Sequence, residues 1–314
     1  PSSYFVPKGI LYDFIKKSWN CHELWYNERM KYPKIDLKNL RLKSKQFHQE
    51  QPRLLLVFLL PSLLLIATRF LSPLTPINED ILETSFLHFL TSLIQNSLFP
   101  LTLGFLCSII LTGALFASLN ILHQPRTEVS FMSSLSLLDD RRFTPTFLTL
   151  LLKRFYLFLW GIPSLLGIIC FFYSSLIARR FVALHPEFPT IDLSNVDTER
   201  FLLTFALYFF GSLILMIVGL LLYIPQYYAY SQVEPLLCDT VAIGLAKPNR
   251  ILKTSRFLMK GYKFQRFILD LQLLPWYILI WISFGIAGIS IYPYIYSCQL
   301  FFYQRLLEIK RRKV

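Results

Sequence analysis

The stretch between Phe264 and Tyr303 limits what this chain can fold into more than any other segment. It holds about forty mostly apolar residues, whereas one membrane crossing needs only about 20 helical residues. The sequence Phe284-Gly285-Ile286-Ala287-Gly288 interrupts it near its middle. We therefore predict a transmembrane helical hairpin. Gly285 and Gly288 are expected to permit the reversal, because glycine tolerates positive φ and close backbone approach.

The composition of the chain also indicates a membrane protein. Hydrophobic residues make up 54% of the chain and the mean hydropathy is +0.47, which is more apolar than the surface of a soluble domain permits. The formal net charge of +13 lies almost wholly outside the apolar segments. This distribution is typical of basic cytoplasmic loops that face anionic lipid headgroups. The sequence shows no nucleic-acid-binding module, so nucleic acid is not an expected partner.

Apolar runs and loop charges together predict six membrane crossings. Runs at 54–71, 98–122, 155–178 and 201–228 precede the hairpin arms at 264–283 and 286–303. Lys and Arg outnumber acids by seven to two in 31–53, five to three in 123–154 and seven to two in 231–266. The tail after Tyr303 has five basic residues against one acid. The positive-inside rule therefore places both ends of the chain in the cytoplasm, which requires an even number of crossings.

The remaining segments are interpreted from the same patterns. Residues 1–29 lack a signal-peptide pattern and are taken as an N-terminal extension, either translated from upstream or acting as an amphipathic anchor. A basic cytoplasmic segment at 30–53, a single transmembrane domain at 54–304 and a basic cytoplasmic tail at 305–314 follow. Within the domain, 81–96 has apolar residues at helical spacing. It predicts a separate amphipathic helix before Pro100 that either lies on the outer face or dips into the bundle.

A basic amphipathic helix is predicted at 249–260, between a proline at a good start position and a glycine at a good stop position. At about 100° per residue, one face carries Arg250, Lys253, Arg256 and Lys260, and the other carries Ile251, Leu252, Ser255, Leu258 and Met259. We expect this helix to lie on the inner leaflet, where the four basic residues contact anionic lipid or a partner. The alternative is a solvated helix that packs on the rest of the protein.

The C-terminal part of the chain resembles a known family. After Ile224-Pro225 and the basic helix, the sequence continues through Phe257-Leu258-Met259-Lys260-Gly261-Tyr262-Lys263, Leu269-Asp270-Leu271, Pro275-Trp276, Phe284-Gly285-Ile286-Ala287-Gly288 and Tyr292-Pro293-Tyr294. This order resembles DUF975, an integral membrane family of Gram-positive bacteria, closely over 224–304 and more loosely over 35–223. Gln226 and Tyr262 depart from the usual Gly and Asn of that family. The resemblance implies a multi-helix membrane architecture with an N-terminal basic segment, and no reaction.

The sequence contains no recognisable motif for catalysis, nucleotide binding or metal binding. Its five histidines are scattered without HxxxH or HExxH spacing, and GxxxxGK[ST], GxGxxG and GxSxG are all absent from it. The five cysteines form no CxxC pair and read as small core residues. Arg266 and Asp270, four residues apart in a predicted span, are expected to form an ion pair. We therefore expect no enzymatic activity, cofactor or metal.

Two classes of function remain for this predicted all-α, polytopic transmembrane helical bundle. The first is a non-catalytic component of a bacterial cytoplasmic membrane that binds lipid, a membrane protein partner or a second copy of itself through its basic inner face. The alternative is a transporter or permease-like subunit that moves a small or amphipathic substrate. Prolines within the apolar segments favour this alternative, because broken helices are common where a pathway crosses a bundle.

Overall fold

A computed structural model describes residues 33–71, 86–123, 130–184 and 196–311, and these parts of the chain are helical with short connections. The helices are α1 (Leu37–Glu50), α2 (Leu54–Leu71), α3 (Phe86–His123), α4 (Asp140–Leu184), α5 (Val196–Ala229), α6 (Val233–Ala242), α7 (Pro248–Leu258), α8 (Lys263–Ile282) and α9 (Gly288–Arg311), with a 3₁₀ turn at Phe131–Leu135. The predictions on residues 1–29 and on the last residues of the tail lie outside the described residues.

The described parts of the chain contain three helical segments that are long and apolar enough to cross a membrane. They are Leu98–His123, Arg141–Ala183 and Thr198–Ala242. A fourth arises if α1 and α2, which bend by 100° at a short break, count as one broken span. The all-helical, multi-span architecture is confirmed, whereas the count of six is not. The hairpin arms α8 and α9 are not among these segments, because their charged and amide side chains make them less apolar.

The structure corrects the prediction of a separate helix at 81–96. From Phe86 onward, this segment forms the first part of α3, which continues without interruption through Pro100 to His123. A proline inside a membrane helix is tolerated when neighbouring groups satisfy the carbonyl that it leaves without a donor. The prediction that a helix ends before Pro100 was therefore wrong, because it depended only on the local spacing of apolar residues and on the proline. Residues 81–85 lie outside the described part of the chain.

By compactness the described residues divide into two units: 86–97, 154–184 and 196–227 form one, and 33–71, 98–123, 130–153 and 228–311 form the other. In the first of these, α4 and α5 run antiparallel and form what we call the α4–α5 pair. The rings of Phe181 and Phe201 stack with centroids 3.7 Å apart, and those of Phe171 and Phe209 lie 5.8 Å apart. Residues later in α5 therefore contact residues earlier in α4, as two antiparallel helices require.

Small residues bring the backbones of the α4–α5 pair close together. A Cβ atom on Gly219 would collide with Ser164, and one on Gly167 would lie 2.7 Å from the Met216 side chain. The opposite face of α5 is an exposed apolar stripe, consisting of Leu203, Leu207, Phe210, Ile214, Ile217 and Leu221, each at least 59% exposed. Such a stripe follows helical spacing and lacks any protein layer over it within this unit.

In the other unit, α9 packs against both α1 and α2. Phe58 of α2 stacks on Tyr296 of α9 with ring centroids 5.3 Å apart, and Phe47 of α1 contacts Phe301 edge-on at 5.7 Å. A continuous apolar core runs through these helices and α8, and α9 is buried along most of its length. This packing holds α9 at the centre of the unit.

The predicted reversal between α8 and α9 is present, and we call these two helices the α8–α9 hairpin. Trp276 contacts Tyr294 with ring centroids 5.9 Å apart, and the Arg266 guanidinium lies 5.8 Å from the Phe302 ring. Both pairs are nearly symmetric about residue 285, as two antiparallel helices require. The chain turns over residues 283–287, which is where the sequence pattern placed the break.

The two predicted turn glycines serve different purposes. Gly285 has φ of 95°, a left-handed conformation that an L side chain rarely adopts. Gly288 begins α9 instead, and a Cβ atom there would lie 2.6 Å from the ring of Tyr292. Phe284 also has a positive φ, of 52°, which the sequence analysis did not anticipate because phenylalanine is unfavourable there.

Candidate functional site

The predicted basic helix is present as α7, and its two faces separate as the sequence pattern indicates. The helix begins at Pro248, a favoured first position because proline has no N–H to satisfy. The four predicted basic residues are all exposed: Arg250, Lys253 and Arg256 on α7, and Lys260 in the turn that follows it, because the helix ends at Leu258 rather than at 260. The opposite face is buried and consists of Ile251, Leu252, Ser255, Leu258 and Met259. We call the first set the α7 basic face.

The buried face of α7 packs inside the protein and is therefore not available to a lipid leaflet. Ser255 Oγ donates a hydrogen bond to the Ala229 carbonyl at 2.9 Å, and Met259 belongs to the same core as Leu269 and Phe302. This arrangement matches the alternative of a helix packed on the rest of the protein. Any contact with a membrane or partner must come from the α7 basic face alone.

Two further cations lie next to α7 without joining its basic face. Lys310 is only 5% exposed, and its Nζ lies 4.9 Å from the centre of the Phe257 ring and 5.8 Å from that of Tyr262. Phe257, which blurred the sequence pattern, is thus the aromatic partner of a cation on α9. Lys263, the first residue of α8, is the other cation and is half-buried.

A second basic segment, α1, lies at the same end of the α8–α9 hairpin as α7. The backbone N–H of Ile35, just before α1, donates to Gln265 Oε1 near the start of α8 at 3.0 Å. Lys310, near the end of α9, contacts the residues that link α7 to α8. Exposed lysines of and near α1 therefore add to the charge at this end: Lys34, Lys38 and Lys45.

Buried polar groups follow the α8–α9 hairpin toward the basic end. The Arg266 Nη2 lies 3.2 Å from Asp270 Oδ1, which confirms the pairing expected from their spacing. On the other arm, the Tyr303 hydroxyl donates to Asp239 Oδ2 at 2.7 Å. This second contact could not be predicted from local spacing, because its partners lie 64 residues apart.

The chemistry of these groups does not form a recognisable catalytic or metal centre. Within the described ranges, no group of three or more His, Cys, Asp or Glu side chains is placed to hold a metal ion. Lys153 and Glu234 form an ion pair that joins the start of α4 to α6. Cys107, Cys238 and Cys298 are buried free thiols. The arrangement therefore offers charged contact surfaces and buried polar anchors.

A family model described as "Protein of unknown function (DUF975)" matches residues 30–310. No curated protein and no solved structure matches the chain.

Proposed function

The chain belongs to the DUF975 family, and we propose that it is a non-catalytic, multi-pass component of a bacterial cytoplasmic membrane that binds anionic lipid headgroups through its α7 basic face. The family has no known activity, so the proposal depends on geometry. The observation that carries it is the exposure of four cations, three on α7 and Lys260 in the turn just after it, whereas the opposite face of α7 is fixed in the core. A fixed helix presents its charges without first paying the entropy of ordering them.

Exposed apolar surface supports the membrane part of this proposal. Soluble proteins rarely expose large continuous apolar patches, yet the stripe on α5 includes Leu207 at 73% and Leu221 at 67% exposure. Lipid chains cover such a stripe without cost. We propose that α2, α3, α4, α5, α8 and α9 provide six crossings and that both chain ends are cytoplasmic. The loop charges and the placement of α1 beside the start of α8 support this topology.

The size of the electrostatic free energy favours headgroup binding at the α7 basic face over a merely solvated surface. Each Lys or Arg near an anionic leaflet contributes about 1 kcal/mol at physiological salt. Because Arg250, Lys253, Arg256 and Lys260 share one face, they can act together on one patch of surface. An acidic protein partner would use the same charges, and we treat it as an outcome of the test.

The test uses the full-length protein in nanodiscs with or without phosphatidylglycerol. A fluorescent reporter at the exposed Asn249 of α7 avoids the buried Ser255, whose hydroxyl is hydrogen-bonded. We expect the reporter signal to change with phosphatidylglycerol in the parent. Replacing the four residues of the α7 basic face by Gln should abolish that change.

The matched control removes the same charge elsewhere. Replacing the exposed Arg141, Arg179, Arg180 and Arg200 by Gln should leave the lipid response intact. If parent, variant and control give the same signal in both kinds of nanodisc, the lipid-binding role is wrong. A response that appears only with a co-purified acidic protein would assign the α7 basic face to a partner instead.

The transporter alternative has one structural observation in its favour. Pro61, Pro275 and Pro293 lie inside α2, α8 and α9, the three helices that pack together in one unit. A pathway among them would let water-soluble reagents reach the buried Cys298. We expect a small hydrophilic maleimide to leave Cys298 unmodified in membranes, and rapid modification would favour transport.

A further inference from the structure

A line of exposed apolar side chains, which we call the α8 stripe, runs along α8 from its first turn. Its members recur every three or four residues: Phe264, Phe267, Leu271, Leu274, Ile278 and Trp281. This spacing places them on one face of the helix. From Phe264 to Leu274 the helix rises about 15 Å, which is the depth of one leaflet in a hydrocarbon core of roughly 30 Å.

Cations of the α7 basic face lie directly before the α8 stripe. Lys260 lies in the turn between α7 and α8, where its N–H donates to the Phe257 carbonyl at 3.2 Å. Arg256, in the last turn of α7, precedes Lys260 by four residues. Lys263 is the first residue of α8, and the exposed Phe264 follows it. Positive charge and exposed apolar surface therefore meet at the junction of the two helices.

Ring contacts through the end of α5 connect Arg256 to the α8 stripe. The Arg256 guanidinium lies 5.9 Å from the centre of the Tyr230 ring. Two residues earlier, Tyr228 contacts Phe267 edge-on with ring centroids 6.0 Å apart, and the ring of Phe267 lies 6.1 Å from that of Phe264. The end of α5, α7 and the first turns of α8 therefore form one corner, in which a cation and apolar side chains are exposed together.

Little negative charge in the neighbouring sequence balances this corner. Between residues 240 and 307, Asp270 is the only acid in the sequence, and it already pairs with Arg266. A purely apolar ligand would cover the α8 stripe but leave the cations without counter-charge. A phospholipid with an anionic head and long acyl chains meets both requirements, because Lys and Arg attract anionic headgroups while apolar side chains beside them contact the acyl chains.

We infer that this corner binds one anionic phospholipid, whose phosphate contacts Arg256 and Lys260 and whose acyl chain lies along the α8 stripe. The inference rests on the proposed function and deepens it by assigning unequal roles to the four cations. Arg256 and Lys260 lie next to the stripe and bind the lipid directly. Arg250 and Lys253 lie toward the other end of α7 and contribute only long-range attraction.

The experiment uses a photo-crosslinker in the full-length protein, in nanodiscs of phosphatidylcholine with a minor fraction of phosphatidylglycerol. p-Benzoylphenylalanine, which reacts with nearby C–H bonds, replaces Phe264 or, as the control, Trp281. Both side chains are 70% exposed and lie near opposite ends of the α8 stripe. Mass spectrometry of the adducts gives the ratio of phosphatidylglycerol to phosphatidylcholine at each position. We expect this adduct ratio to be roughly tenfold higher at position 264 than at 281.

Charge variants then test which cations hold the lipid. R256Q/K260Q should lower the adduct ratio at position 264 to the value at 281. The matched control R250Q/K253Q removes the same charge from the same basic face and should keep most of the enrichment. R256K keeps the charge and should also keep it, which separates loss of charge from a disturbed α7. All four residues are exposed, so the variants are expected to fold.

The inference is overturned if the adduct ratio in the parent is the same at positions 264 and 281, or if the two double variants lower it equally. Neither result contradicts the proposed function, which requires only that the four cations together produce the response of the Asn249 reporter to phosphatidylglycerol. A parent whose reporter gives the same signal with and without phosphatidylglycerol contradicts the proposed function instead.

Discussion

The α4–α5 pair and the α8–α9 hairpin are both antiparallel helix pairs, but they place their polarity differently. The α4–α5 pair is held by ring stacking and close backbone approach, and its outer faces are apolar and exposed. The α8–α9 hairpin has its polar groups on the inside, where Arg266 meets Asp270 and Tyr303 meets Asp239. The two pairs therefore share a topology but differ in whether apolar or polar side chains are enclosed between helices.

This difference shows which surroundings each pair is built for. An ionisable side chain at membrane depth is costly unless protein groups satisfy it, so the charged residues occur where other helices enclose them. The exposed stripe of α5 carries no such groups and needs only an apolar solvent. The α4–α5 pair thus has the character of a lipid-exposed span. In the α8–α9 hairpin, α9 has the character of a protein core, and α8 combines a polar inner side with exposed apolar residues such as Leu271 and Trp281. Four predictions test this contrast.

The largest expected effect comes from breaking the buried ion pair of the α8–α9 hairpin. R266Q should lower the free energy of unfolding by about 3 kcal/mol or more, because it leaves a partly buried carboxylate without its partner. R266Q/D270N should recover much of this loss. The equivalent change on the α4–α5 pair, R200Q, concerns an exposed side chain and should stay within about 0.5 kcal/mol. Reversible unfolding in mixed micelles measures all three, and equal losses in R266Q and R200Q would remove the contrast.

Truncating one leucine in each pair tests whether lipid or protein surrounds it. Leu306 of α9 is fully buried, whereas Leu207 of α5 is 73% exposed. L306A should cost about 3 kcal/mol through loss of packing and creation of a cavity. L207A should cost close to nothing in detergent or lipid, since an apolar solvent fills the space. A large loss in L207A would mean that protein, not lipid, covers the stripe on α5.

The buried hydrogen bond to Asp239 is expected to stabilise the protein by a smaller amount. Y303F removes the hydroxyl that donates to this carboxylate at 2.7 Å, and we expect a loss of about 2 kcal/mol, as for a hydrogen bond to a charged group. Y208F provides the control on α5, where the side chain is 36% exposed. The contact between Tyr303 and Asp239 has no energetic role if thermal unfolding shows the two variants to be equally stable.

The last prediction concerns the close approach within the α4–α5 pair. G219A introduces a Cβ atom 2.3 Å from the backbone nitrogen of Ser164 and should cost about 1–3 kcal/mol through overpacking. G211A lies on the same helix with no heavy atom near the added Cβ, and it should be neutral or stabilising because alanine favours helix. The same Gly→Ala substitution is thus expected to lower the free energy of unfolding at 219 and to leave it unchanged or raise it at 211. Equal effects would show that the two helices separate more easily than their packing indicates.

Much of the local structure could be predicted from the sequence, because it depends on residues close together in the chain. The bounds of α2 are those of the apolar run at 54–71, the hairpin breaks at residues 283–287, and α7 has its basic and buried faces where helical spacing places them. Arg266 and Asp270 pair because a four-residue spacing brings them onto one helix face.

The features that sequence analysis missed depend on packing between distant segments. The contact of Tyr303 with Asp239 and the hydrogen bond from the Ile35 N–H to Gln265 follow from how α9 packs on α6 and how α1 packs on α8. The periodicity of the sequence carries no information about such contacts. The continuity of α3 through Pro100 was missed because a local helix breaker was given more weight than the surroundings. For α7 the residues of each face were right, but only the folded chain shows that its apolar face is occupied by the protein core.

The most direct test of this account is the side of the membrane on which each end of the α8–α9 hairpin lies. Single cysteines at Lys253 on α7 and at Phe284 in the turn, both exposed, are introduced after the five native cysteines are replaced. Intact cells are then treated with an impermeant maleimide, with permeabilised cells as the control. We predict labelling at position 284 in intact cells and at position 253 only after permeabilisation. Labelling at 253 in intact cells, or protection of 284 there with labelling after permeabilisation, would contradict a hairpin whose basic end faces the cytoplasm.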